Sequence, residues 1–196
     1  MERIGVFGGT FDPIHAGHLV AAVNARHALG LDRVLLVVAN QPWQKVGDRE
    51  VAPAADRLAV VEAASADVDG LEACSIEIDR GGDSFTVDTL EALAQDTGAD
   101  LYLIVGSDLL GELRTWRQSE RIKELATLAV VSRPGGKPAG EGLGPGWRME
   151  AVDIPQLNIS STELRARAAD GRPLDFLVPA AAVRCMRQRG MYAVRG

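Results

Sequence analysis

Short apolar runs alternate along this chain with longer stretches of mixed, alanine-rich character. Arg3–Gly8 reads as a short buried strand ending in glycines, and His15–Leu29 as a helix stopped by Gly30. Arg33–Ala39 (RVLLVVA) is a continuous apolar run, as expected of a strand covered on both faces. A polar loop follows through Gln41–Val51, and Pro53 stands near the start of a helix running to about Ala66. Glu72–Ile78 reads as a third strand, Thr86–Gln95 as a helix, Leu101–Val105 as a fourth strand and Thr127–Ser132 as a fifth. Gly135–Gly146, with six glycines and two prolines, reads as a mobile loop. Arg148–Val152 is expected to be the last strand, and Ser160–Ala169 and Pro179–Arg189 close the chain as helices. Strands alternating with helices predict an α/β fold, a Rossmann-like parallel sheet with helices on both faces. No internal repeat or low-complexity linker interrupts the pattern, so a single domain over 1–196 is expected. In such a sheet, ligands bind outside the carboxyl ends of the strands. That directs attention to the loops after strands one, two, four and six.

Composition narrows the partners. The 196 residues carry a formal charge of −6, which disfavours a nucleic-acid surface. Charged residues make up 24%, too well balanced by apolar ones for a disordered chain. Cys74 and Cys185 stand apart with no C-x-x-C, so neither a metal site nor a disulfide framework is supported. The chain enters its first strand at once, without the long apolar segment of a signal peptide. No run approaches the eighteen or so apolar residues of a membrane span. A cytoplasmic protein with no membrane partner is the expectation.

The first chemistry-bearing segment is Gly8-Gly9-Thr10-Phe11-Asp12-Pro13-Ile14-His15-Ala16-Gly17-His18. Two glycines at a strand end let the backbone approach a ligand closely. His15 and His18 are three apart at a helix start, so they share a face. A helix N-terminus presents unpaired N–H groups and a partial positive charge. Two imidazoles beside it make a compact donor cluster for a phosphate. A lone histidine is usually an ordinary core or surface residue, but a pair behind Gly-Gly-Thr is not that pattern. Zinc is a weak reading, because the remaining histidine, His27, lies two turns on. No G-x-G-x-x-G occurs, and Gly136-Lys137 precedes Pro138 rather than Ser or Thr, so a Walker A loop is excluded.

The second segment is Ile159-Ser160-Ser161-Thr162-Glu163-Leu164-Arg165, opening a helix. Ser160 and Glu163 have the spacing of a capping box. That leaves Ser161, Thr162 and Arg165 unexplained, since extra hydroxyls in a first turn are neutral to unfavourable. Hydroxyls, free N–H groups and a guanidinium together suit a polyphosphate.

These segments resemble the nucleotidyltransferase superfamily with a His-x-Gly-His motif, through Gly-Gly-Thr-Phe-Asp-Pro-Ile-His-x-Gly-His-Leu and Ser-Ser-Thr-x-x-Arg. Within it, the middle of the chain resembles the nicotinate-nucleotide adenylyltransferase family. Ser84-Phe85-Thr86-Val87-Asp88-Thr89-Leu90, Gly106-Ser107-Asp108, Leu113-Arg114-Thr115-Trp116 and Ser132-Arg133-Pro134-Gly135 are similar to its segments, and Asn40 and Lys45 match a substrate-binding Asn and Lys.

The resemblance implies transfer of AMP from ATP to nicotinate mononucleotide, with pyrophosphate released. It assigns His15, His18 and Thr10 to the transferring phosphoryl group, with the Gly8–Thr10 backbone beside them. Ser161, Thr162 and Arg165 are assigned to the leaving pyrophosphate, the C-terminal helices completing the ATP site. Gly8, Gly9, Gly106 and Asp108 are placed on ATP. Asn40, Lys45, Ser84, Phe85, Thr86, Trp116 and Arg133 are placed on the mononucleotide. Mg²⁺ is expected to arrive with ATP, with no protein metal ligand. Asp12 is the carboxylate nearest the phosphate loop, a turn-stabilising role being at least as natural for it as a metal role. One departure stands out: many bacterial members have Pro-x-His-Lys where this chain has Pro42-Trp43-Gln44-Lys45. A sister adenylyltransferase, such as one acting on pantetheine phosphate, and a non-catalytic nucleotide sensor are the competing readings. The sequence leaves a homodimer open.

Overall fold

The computed structural model describes residues 1–41, 51–132, 143–155 and 157–192. Its strands are β1 (Arg3–Gly9), β2 (Arg33–Val38), β3 (Leu71–Cys74), β4 (Asp100–Gly106), β5 (Ala126–Ser132) and β6 (Met149–Asp153). Its helices are α1 (Ala16–Leu29), α2 (Ala54–Ser65), α3 (Ile76–Arg80), α4 (Thr86–Thr97), α5 (Ser119–Leu125), α6 (Ser161–Ala169) and α7 (Ala180–Gln188). The strands form one sheet in the order β3-β2-β1-β4-β5-β6. β1 runs parallel to β4, with Arg3 opposite Asp100 and Val6 opposite Leu103. β4 runs parallel to β5, and β5 to β6. The strand order reverses between β1 and β4, which is the topological switch point of a doubly wound sheet. The Rossmann-like α/β expectation holds.

Contacts divide the chain into two compact units, each drawn from three stretches. One comprises Met1–Gly8, Val20–Leu35 and Phe85–Gln156. Its interior is built from strand residues Ile4, Val6, Leu103, Ile104, Leu128 and Val130, all buried. The other comprises Gly9–Leu19, Leu36–Ser84 and Leu157–Gly196. There α2 packs against α7, burying Val60, Val61, Ala182 and Met186.

Most element boundaries fall within one or two residues of the sequence expectation, and three elements differ. The expected strand Glu72–Ile78 ends at Cys74 and gives way to α3. The Ser75 hydroxyl donates to the Asp79 carboxylate, and the Ser75 carbonyl accepts from the Asp79 N–H. Gly81, at φ +72°, closes the turn with its N–H on the carbonyls of Glu77 and Ile78. The helix α5 was not expected. It buries only Ile122, so it shows no apolar period, and its surface is laced by pairs of Arg121 with Glu91 and Glu124 and of Lys123 with Glu120. The segment after β4 forms 3₁₀ turns at Ser107–Leu109 and Leu113–Thr115. Of the expected loop Gly135–Gly146, residues 135–142 lie outside the described residues.

Gly5 shows how tightly β1 is packed. A Cβ there would stand 2.9 Å from Val34 Cγ2, 3.0 Å from Leu31 Cδ1 and 3.1 Å from Ile104 Cδ1. Overpacking a closed core typically costs about 1–3 kcal/mol. Gly5→Ala is therefore expected to cost about 1–3 kcal/mol of stability, read as a lower urea midpoint at an unchanged m-value. An unchanged midpoint would show that this part of the core can relax.

Candidate active site

β1 delivers its carboxyl end into the segment Gly9–His18, and the shape of that segment follows from a few contacts. Phe11 is buried with φ +47°, a left-handed conformation uncommon for a non-glycine residue. Its ring lies against Gly9, where a Cβ would approach ring carbons at 2.8 Å, so the second glycine of the motif is required by packing. Around Gly8, in contrast, a Cβ would meet no described residue within 4 Å, so none of these demands a glycine there.

His15 and His18 come together as their spacing predicts. Their rings stack with centroids 3.7 Å apart, and Phe11 meets His18 edge-on at 5.1 Å. Gly17 lies between them in sequence, and a Cβ on it would come within 3.0 Å of His15 Nδ1. The small residue of His-x-Gly-His thus leaves space for the first imidazole. The His15 backbone N–H donates to His18 Nδ1 at 3.2 Å. With Nδ1 accepting, the proton of a neutral His18 ring resides on Nε2, and that nitrogen becomes a donor.

The expected row of free N–H groups at this helix start needs a correction. Ala16 N–H donates to the Leu177 carbonyl at 2.8 Å, and His18 N–H to the His15 carbonyl at 2.9 Å. Two donors of the first turn are therefore used within the protein, and the imidazoles carry more of the donor capacity than the sequence suggested.

The second segment does what its spacing suggested and more. Ser160 Oγ caps α6 by accepting from the Glu163 N–H at 3.2 Å. Glu163 pairs with Arg167 instead of returning to Ser160. Ser161 Oγ donates to the Pro13 carbonyl at 2.9 Å. Arg165 donates from Nη1 to the Asp12 carbonyl at 2.7 Å and from Nη2 to Thr162 Oγ1 at 3.1 Å. These residues, placed on a polyphosphate by resemblance, fasten the start of α6 to the Asp12–Pro13 turn. Asp12 is 1% exposed and accepts from the Tyr192 hydroxyl at 2.7 Å. Burial, and then the hydrogen bond to Asp12, hold the Tyr192 phenol protonated far above its ordinary range.

Two residues of this unit escaped the sequence reading, Tyr192 and Arg57. Arg57 is 1% exposed. It donates from Nε to the Ala52 carbonyl at 2.8 Å, from Nη1 to Thr10 O at 2.8 Å and from Nη2 to Asn40 O at 3.0 Å. Its signal was available: Arg57, Val60, Val61 and Ala64 recur at helical spacing along the buried stripe of α2. Asn40 is further tied to the loop before α4. Its backbone N–H donates to Ser84 Oγ at 2.8 Å and its side-chain amide to the Gly82 carbonyl at 2.9 Å. Ser84 therefore does not cap α4, whose N-cap is Phe85 with no side-chain hydrogen bond.

In the other unit, Gly106 ends β4 and a Cβ on it would collide with the Asp108 carboxylate, so glycine gives Asp108 its place on the 3₁₀ turn. α4 starts at Thr86. Arg117 lies 4.6 Å over the Phe85 ring. Trp116 follows the second 3₁₀ turn, and its buried indole N–H has no hydrogen-bond partner among the described residues. Lys45 and Arg133 lie outside the described residues, as does Gln44.

Comparisons with known proteins bear on the family and the fold. The cytidylyltransferase-like family model matches residues 6–167. Three relatives bear the name "probable nicotinate-nucleotide adenylyltransferase". The Corynebacterium kroppenstedtii protein is 42% identical over 99% of this chain and 92% of its own length. The one from Roseiflexus sp. is 45% identical over 96% and 97%, and that from Streptomyces coelicolor 45% over 94% and 98%. The chain belongs to the nicotinate-nucleotide adenylyltransferase family. Its fold matches the Plasmodium falciparum nicotinic acid mononucleotide adenylyltransferase complexed with NaAD, at a TM-score of 0.75 and 16% identity, covering 98% of both chains. Within this family, the paired imidazoles, the capped α6 and the buried Arg57 describe one unit of the chain, and Asp108, Phe85 and Trp116 the other.

The Arg57 clamp carries a stability prediction. Lysine offers a single ammonium on a shorter stem, which cannot reach three separate carbonyls. These bonds are part-buried, and each carbonyl left without a donor costs up to about 1–3 kcal/mol. Arg57→Lys is expected to lose at least about 1–3 kcal/mol in chemical denaturation, and a variant as stable as wild type would show that the clamp is dispensable.

Proposed function

We propose that the chain transfers the adenylyl group of ATP to the 5′-phosphate of nicotinate mononucleotide, giving deamido-NAD and pyrophosphate. The observation that carries this reading is the stacked histidine pair on a loop held from below, with a proton directed to His18 Nε2 by the His15 backbone. A mononucleotide phosphate oxygen attacks the α-phosphorus of ATP. One P–O bond forms there as the bond to the α,β-bridging oxygen breaks, and pyrophosphate takes the electron pair. The attacking oxygen is already ionised at neutral pH, so no general base is required. The protein's work is positioning and stabilisation of charge.

The residue roles follow. His18 Nε2–H, with His15 and Thr10, meets the oxygens of the transferring phosphoryl group. Gly8, with no described residue within 4 Å of where a Cβ would stand, lets the backbone come close to ATP beside Gly9. Thr162 and Arg165 hold the leaving pyrophosphate. Ser161 adds its backbone N–H at the start of α6, its hydroxyl being used on Pro13. Gly106 and Asp108 take the adenosine ribose. Asn40, Ser84, Phe85, Thr86 and Trp116 are assigned to the mononucleotide. Lys45 neutralises the incoming phosphate, and Arg133 joins the mononucleotide site.

Mg²⁺ enters with ATP, because it favours phosphate oxygens and water. Among the described residues no three His, Cys, Asp or Glu side chains cluster to hold it. Asp12 is engaged by Tyr192. The reaction is placed in the cytoplasm. Among the described residues, no helix is long and apolar enough to cross a membrane.

Two outcomes test this function. Pyrophosphate release should require ATP and nicotinate mononucleotide together, and the same rate from ATP alone would indicate a hydrolase. In that assay His18→Ala should lower kcat by roughly 10²–10³, as for loss of one preorganised donor. A kcat within about threefold of wild type would remove His18 from the transition state.

Discrimination of acid from amide rests on donors. Ser84 Oγ accepts from Asn40 and so keeps its own proton for an acceptor. α4 opens at Thr86 without a side-chain cap, leaving first-turn N–H groups for a carboxylate. An amide NH₂ facing those donors is a buried mismatch of about 1–3 kcal/mol. kcat/KM should favour nicotinate over nicotinamide mononucleotide by at least about tenfold, while Trp116→Ala weakens both alike. Equal kcat/KM for the two would show that this pocket does not read the carboxylate.

A further inference from the structure

We propose that the groove beside Phe176 is a docking surface for a second copy of this chain, each copy seating its Phe176 in the groove of the other. The inference stands apart from the reaction proposed above. Phe176 is 98% exposed, whereas Leu174 and Val178 on either side of it are buried. Its φ of +62° is uncommon for a residue other than glycine. The turn around it is held at three points. The N–H groups of Leu177 and Val178 both donate to the Leu174 carbonyl at 3.1 Å, and the Leu177 carbonyl accepts from the Ala16 N–H at 2.8 Å. A large apolar ring is thus carried outwards on a fixed turn.

A single exposed phenylalanine is ordinary on a protein surface. What marks this one is the groove that it lines. The groove has a volume of about 580 Å³ and lies within one compact unit. Val178, Pro179 and Val183 supply its apolar wall, and Asp175, Arg184 and Arg187 its charges. These three charged residues are exposed. A groove of this volume takes an aromatic side chain. The patch therefore holds a knob and a hole, and an acid and two bases. A two-fold interface sets one patch against itself, so every feature must find its complement within the patch. Here the ring of one copy meets the groove of the other, and Asp175 of one copy meets Arg184 and Arg187 of the other. A small anion matches the arginines alone and leaves the Phe176 ring in water and Asp175 facing a like charge.

The test is sedimentation equilibrium of the full chain. Wild-type protein should form dimers with a Kd in the micromolar range. Phe176→Asn puts in a side chain that tolerates the left-handed turn and removes the ring. It should raise the dimer Kd by roughly 30-fold or more, as for loss of a central aromatic anchor, with an unchanged far-ultraviolet circular dichroism spectrum. Asp175→Arg alone, and Arg184→Asp with Arg187→Asp, should each give monomers, because every charge pair across the interface becomes repulsive. Mixed together, these two proteins should form a heterodimer, since both contacts are again opposite in sign, as two-fold pairing requires. A wild-type Kd weaker than about 1 mM, a dimer that survives Phe176→Asn, or a charge-swapped mixture that stays monomeric would each overturn the proposal. A monomeric wild type that binds inorganic phosphate, and loses it on Arg184→Asp with Arg187→Asp, would give the groove to an anion instead.

Discussion

The carbonyls of Thr10 and Asn40 meet at one buried guanidinium, and the chemistry of their unit depends on that meeting. Arg57 fixes the backbone just after β1 and just after β2. The first carries the histidine loop, and the second carries Asn40, whose own N–H fixes Ser84. A buried charge is costly unless its donors are satisfied. Here three carbonyls, at 2.8–3.0 Å, supply acceptors that loop backbone would otherwise leave unmade. Loops at strand ends are the mobile part of most sheets. This arrangement replaces that mobility with a fixed frame for the histidine loop.

On that frame a second set of bonds acts from the far end of the sequence. Ser161 and Arg165 take the carbonyls of Pro13 and Asp12, and Tyr192 takes the Asp12 side chain. The proposed site spends few groups on covalent chemistry, as suits phosphoryl transfer, where preorganised charge is worth more than a nucleophile or base. His18 illustrates the economy of the design: a backbone N–H selects its tautomer, and Gly17 makes room for its stacked neighbour.

Much of this was legible in the sequence. The apolar run RVLLVVA gave β2, Gly30 marked the end of α1, and the spacing of His15 and His18 predicted their contact. The Ser160 cap was readable from Ser-x-x-Glu. Other parts were hidden for physical reasons. Ser75 and Gly81 turn an alternating pattern into α3, because side-chain and αL bonds outweigh a short period-two signal. α5 buries one residue and so carries no stripe. Arg57 sat on an apolar face, where a charged residue reads as an exception until its three acceptors are seen. Tyr192 could not be connected with Asp12 by any local rule, since the contact spans 180 positions. Occupied N–H groups at the start of α1 were equally invisible, because Leu177 supplies the acceptor from a distant turn.

On the proposed function, the histidine loop is already in its working shape before ATP arrives. A crystal structure of the protein with a non-hydrolysable ATP analogue tests this most directly. The account predicts an α-phosphate oxygen within about 3.2 Å of His18 Nε2, with the bonds from Arg57 to Thr10 and Asn40 unbroken. A triphosphate bound away from His15 and His18, or a loop rebuilt with those bonds lost, would contradict it.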